Sequence, residues 1–173
     1  MGLFSNLFGG SKKPDTDTAL VAITGKIKTL DGGDKRFATQ LITSAWSIID
    51  KLGEPETIGA AQRGGYGMRA WKLLLCHHCM LMFYRDPMAK SAMRRMVSDL
   101  TDGDYAGTDR MCGILERPAA QGDEDDISIN LTTALWEELH SLIGAPKNEE
   151  PVAIMVIMTH FEDTKSKVRH LFD

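Results

Sequence analysis

Cysteine is scarce in this chain: three in 173 residues, at positions 76, 79 and 112. An odd count with two in one short segment is a poor disulfide framework, and it points to a reducing, cytoplasmic compartment. Excess positive charge is missing too. Twenty Lys and Arg stand against 24 Asp and Glu, a formal net charge of −4. That argues against a dedicated nucleic-acid binder and against bulk electrostatic attachment to anionic lipid. No apolar run approaches the roughly 20 residues that span a bilayer; the longest candidates are 73–84 and 152–158. The first ten residues lack the basic start and apolar core of a secretory leader, so none is expected. No GxSxG or HExxH frames a catalytic set, and no repeat with a period of about 20–50 residues is visible.

What is present is enough for one globular unit. Apolar residues make up 43% of the chain and charged residues 25%, ordinary proportions for a domain with a real core. Residues 1–16 separate from the rest as an amphipathic tail. Leu3, Phe4, Leu7 and Phe8 would share one face over two turns before Gly9, Gly10 and Pro14 break the pattern. Asn6 stands where a myristoylation signal needs Ser or Thr. Residues 17–173 are expected to form a single all-α bundle of five or six helices.

The spacing of Leu20, Ile23, Ile27 and Leu30 predicts a helix over 17–30, with a strand as the alternative because Val21, Ile23 and Ile27 are β-branched. Residues 34–52 are the clearest helix: Phe37, Leu41, Ala45, Ile48, Ile49 and Leu52 form its stripe, Asp34 caps it and Gly53 stops it. A breaker-rich connection leads to a helix over 68–84. The next, over 87–100, has Asp86 as cap and Pro87 at its first position. Residues 101–126, with several glycines, a proline and an acidic cluster, are expected to be irregular, with a helical turn near 109–116. A helix over 128–143 follows, ended by Gly144. From Pro151 a long helix is favoured over a strand at 152–158, because Ile154, Met155, Met158 and Phe161 keep helical spacing.

The most arresting stretch is LLLCHHCMLMF, residues 73–83. On a helix each residue advances by about 100°, so Cys76 and Cys79 share a face while His77 and His78 point elsewhere. One helix cannot wrap all four around an ion. A tetrahedral zinc site, or an iron site, would need Cys76 and Cys79 plus two distant ligands, the candidates being Cys112, His140, His160 and His170, of which His160 is taken. A redox pair is a second option, since Lys72 lies one turn before Cys76 and an ammonium lowers a thiol pKa. The reading that accounts for most residues is a core helix, greasy all round, in which cysteine acts as a small hydrophobe. No cofactor is expected on that reading. Buried histidines would then need hydrogen-bond partners.

Two further segments carry candidate chemistry. In QRGGYGMRAWK, bare glycine N–H groups beside a helix start could take an anion at Arg63, Gly65 and Arg69, although the spacing is not that of a nucleotide-binding loop. In SDLTDGDYAGTD, an EF-hand alignment would put Leu100 at a ligand position, which fails; helix-end turns account for these aspartates. Ten methionines, five of them at 80, 82, 88, 93 and 96, suit either an irregular core or an adaptable binding surface. Together these features favour a non-enzymatic interaction or regulatory protein, able to self-associate, over a metal- or anion-binding one. The expected partner is a protein or a second copy, with no nucleic acid, and Leu3, Phe4, Leu7 and Phe8 are its contact or a weak peripheral membrane contact.

Overall fold

A computed structural model describes residues 18–54, 56–59, 66–123 and 126–169. Within them lie α1 (Thr18–Lys28), α2 (Gly32–Gly53), α3 (Met68–Phe83), α4 (Pro87–Leu100), α5 (Tyr105–Ala119), α6 (Ile127–Ile143), a 3₁₀ turn (Lys147–Glu149) and α7 (Glu150–Arg169). The protein is all-α: no strand occurs among the described residues, and none of their helices is long and apolar enough to cross a membrane.

Local signals explain most boundaries. α1 buries Ala19, Leu20, Ile23 and Ile27, a helical stripe that settles the helix–strand choice. At α2 the N-cap position falls on Asp31, and Asp34 sits in the first turn, where the helix dipole favours a carboxylate. Asp86 caps α4 as expected, accepting the Ala89 N–H at 2.9 Å, with Pro87 opening the helix. Gly144 ends α6 in the left-handed region at φ 70°, a conformation that costs glycine nothing.

The helix missing from the expected five or six is α5, and it corrects the irregular stretch expected over 101–126. Asp104 caps it by accepting the Gly107 N–H at 2.8 Å. A methyl at position 107 would fall 2.1 Å from that carboxylate, so this glycine admits the cap instead of breaking the helix. Pro118 comes only in the last turn. Burial of Thr108, Cys112, Leu115 and Ala119 on one stripe outweighs the roughly 1 kcal/mol that each interior glycine costs. In α7, Ala153, Ile157, Phe161 and Thr164 are buried at steps of three and four, so 152–158 is helix.

α3 is the axis of the bundle. It packs on α1, α2, α4, α5 and α6, while α7 lies against α2 and α6. Eleven consecutive residues, Ala70–Met80, are buried, which only a helix surrounded on all sides allows. Trp71 is fully buried, with the Trp46 ring stacked at 6.4 Å, and Leu74 and Leu75 are sealed beside it. Each such leucine contributes about 1.5–3 kcal/mol by leaving water.

Candidate functional site

Residues 76–79 lie in the sealed stretch of α3, and their side chains meet several neighbouring helices. His78 faces α2 and α7. Its Nδ1 lies 2.8 Å from the Leu74 carbonyl oxygen, which can only accept, so Nδ1 carries the proton. Nε2 is then an acceptor, and the Ser44 hydroxyl donates to it at 3.0 Å. The Thr164 hydroxyl lies against that of Ser44 and also reaches the His160 carbonyl at 2.9 Å, and Phe161 meets the imidazole edge-on at 6.0 Å. A chain of neutral groups from α7 through α2 thus satisfies the ring. Burial holds its pKa down at about 4, with the Leu74 carbonyl bond opposing the shift.

His77 faces α6. Its Nε2 is 3.0 Å from Thr132 Oγ1, and Thr132 donates to the Ser128 carbonyl at 2.9 Å, so His77 is the donor in that pair. Its Nδ1 is buried and makes no hydrogen bond. Burial first, then the adjacent His78, pushes the His77 pKa well below the ordinary imidazole value. With neither ring near a carboxylate among the causes of its shift, both stay neutral.

Cys76 faces α5. The neighbouring Cys112 thiol first, then burial, pushes the Cys76 pKa well above the ordinary thiol value. Cys112 goes the other way: the Cys76 thiol is the largest cause, and the Arg94 guanidinium adds to it against burial. Arg94, on α4, is anchored by Asp109 at 2.7 Å and Glu116 at 3.2 Å, residues one turn to either side of Cys112 on α5. Burial raises the Cys79 thiol. Lys72, itself buried, pairs with Asp102 at 2.5 Å, and its pull on Cys76 is the smallest of the causes acting there. The lysine therefore does not activate that thiol.

The other expected site residues are not gathered into one place. His160 lies on α7 and lines a polar cleft with Gln40, Thr43, Ser44, Asp163 and Lys167. Among the described residues no group of three or more His, Cys, Asp or Glu is assembled to hold a metal ion, so Cys76, Cys79 and His160 do not form a ligand set. Arg69 is exposed in the first turn of α3. Arg63 and Gly65 lie outside the described residues, as do Leu3, Phe4, Leu7 and Phe8. Asp102 and Asp104 serve turn and cap.

Sequence reasoning missed the imidazoles' partners, Ser44, Thr132 and Thr164; Cys112, the neighbour of Cys76, was among the candidate distant ligands. A signal for the hydroxyls exists. Each sits on an otherwise apolar buried stripe, Ser44 beside Leu41, Ala45 and Ile48, and Thr132 beside Leu131 and Leu135. A polar residue there implies a buried partner. Compared with known family models, curated proteins and solved structures, the chain matches none.

Proposed function

We propose that the protein is a helical interaction module, regulatory rather than catalytic, which docks a protein partner at the corner where α3 runs into α4. One observation supports this reading above the others. The reactive-looking middle of α3 is sealed and internally bonded, whereas its far end breaks the surface with apolar side chains. Leu81, Met82, Phe83 and Tyr84 are only half-buried, and Met88, in the first turn of α4, is 85% exposed. Single exposed apolar residues are common; a methionine beside a half-buried aliphatic and aromatic run offers a deformable contact instead. Lys90 lies 5.2 Å from the Tyr84 ring centroid, giving this surface a polar rim. A second copy of the chain is the simplest occupant, and Leu3, Phe4, Leu7 and Phe8 are further candidate contacts.

Sedimentation of the wild type and of Met88→Glu tests this. The wild type should associate with itself in a concentration-dependent manner, and the variant should associate at least tenfold more weakly with an unchanged melting temperature. Equal association of the two proteins, or a wild type monomeric throughout, would remove the self-docking reading of this corner.

A further inference from the structure

α2 and α7 pack against each other, and they share a polar cleft of about 30 Å³. α2 lines it with Gln40, Thr43, Ser44 and Ser47; α7 lines it with His160, Asp163, Thr164 and Lys167. Both sets step by three and four, so each is one face of its helix. We infer that this cleft is a binding site for an ammonium group, either the head of a primary amine or free ammonium. The supporting geometry is a cradle of acceptors. A hydroxyl has one hydrogen to give and two lone pairs to offer. Thr43 gives its hydrogen to the Thr39 carbonyl at 2.7 Å, and Ser47 gives its own to the Thr43 carbonyl at 3.0 Å. Ser44 donates to His78 Nε2 at 3.0 Å, because Nδ1 holds the ring proton against the Leu74 carbonyl. Thr164 has two protein acceptors in reach, the His160 carbonyl at 2.9 Å and the Ser44 oxygen. Every one of these hydroxyl hydrogens is directed into the protein, and what the four oxygens have left for the cleft is lone pairs.

Such a lining selects a guest that donates. Ser44 and Thr164 are its two most deeply placed residues, at 6% and 4% exposure, where an acceptor gains most from a charged donor. Gln40 can turn its amide oxygen the same way. Asp163 supplies negative charge at the rim. Lys167 pairs with its Oδ2 at 2.6 Å, so Oδ1 is left to a guest. That ion pair already displays the chemistry, an ammonium group held at this rim. An anion would face the lone pairs of Ser44 and Thr164 instead. The volume holds a small head group, since one water needs roughly 10–15 Å³; a sugar or a nucleotide does not fit. His78, deep in α3, fixes the direction of the Ser44 hydroxyl and so helps set the polarity of the cleft. The inference does not depend on what the α3–α4 corner docks.

The experiment titrates the isotope-labelled full chain with ammonium, methylammonium, potassium and tetramethylammonium chlorides at matched ionic strength, and follows the backbone amide signals by NMR. The expected result is saturable shifts with ammonium, clustered at 40–47 and 160–167, and none with tetramethylammonium, which donates no hydrogen bond. Equal saturation with methylammonium would identify the guest as the head of a primary amine; saturation with ammonium alone would identify the free ion. Thr43→Val and Ser47→Ala each remove one acceptor and should weaken binding roughly tenfold, the scale of one hydrogen bond to a charged group, with melting temperatures unchanged. Lys167→Ala removes the competing ammonium and should tighten binding several-fold, which a general loss of packing would not do. Thr159→Ala, exposed on α7 outside the cleft, should leave the affinity as it was. Shifts that stay linear in ammonium concentration, or that potassium saturates at the same concentration, would overturn the inference. So would wild-type affinity in both Thr43→Val and Ser47→Ala.

Discussion

His77 and His78 leave α3 toward α6 and α2, and Cys76 leaves it toward α5; all three are equally sealed from water. On the histidine side the partners are hydroxyls and a backbone carbonyl, all neutral, and burial drives both imidazoles toward the uncharged form. On the cysteine side the neighbours include Arg94, and Cys112 is shifted toward its charged form although it is 1% exposed. Cys79, as deeply placed but without that cation among its causes, shifts toward the neutral form. Depth alone therefore does not set the direction of a pKa shift. A buried donor or a counter-charge decides whether the desolvation cost is met by losing the charge or by pairing it.

The largest expected consequence of this contrast is acid lability arising from the histidine side. The folded pKa of His78 is about 4, below the ordinary 6.5, and His77 is shifted in the same direction. Between these values the unfolded chain binds more protons than the folded one. The stabilisation is therefore complete above pH 6.5 and is lost as the pH falls toward 4. For His78 alone the loss amounts to about 3 kcal/mol. Urea unfolding measured across this range should show that decline, and His78→Gln should flatten it. A slope unchanged in that variant would place the acid sensitivity elsewhere.

A smaller effect separates bonded from merely packed groups. Ser44→Ala leaves His78 Nε2 without its donor, and Thr132→Val leaves His77 Nε2 without its acceptor; each should cost about 1–3 kcal/mol. Cys79→Ala removes one buried atom that serves as filler and should cost about 1 kcal/mol. Denaturant midpoints of the three variants rank them directly. If Ser44→Ala costs no more than Cys79→Ala, the hydroxyl chain is not what holds His78.

Much of the fold was legible because it is local. The stripe of α2 and the cap at Asp86 are written in residues three or four apart, and α2, α4 and α6 formed close to their expected places. α3 could be read as central because only a surrounded helix tolerates eleven consecutive buried residues. α5 was obscured because Gly107, Gly113 and Pro118 look like breakers in sequence. Their cost is met by tertiary burial and by a cap that uses one of the glycines, neither of which has a period. The polar partners were obscured for a related reason. Ser44 and Thr164 meet, as do Cys76 and Cys112, only because distinct helices cross, and no spacing within one segment encodes a crossing. The CxxC spacing pointed to the neighbour along the chain, whereas the neighbour in space was on α5.

The central claim is that the middle of α3 is core, its imidazoles neutral and bonded inward. Proton NMR of the histidine rings tests it most directly, following each signal from about pH 8 to about pH 5.5, the interval in which an exposed imidazole changes charge. The account predicts that the His77 and His78 signals, assigned with His77→Gln and His78→Gln, stay fixed throughout. Movement of either with a midpoint near the ordinary value of 6.5 would put that ring in water and contradict it.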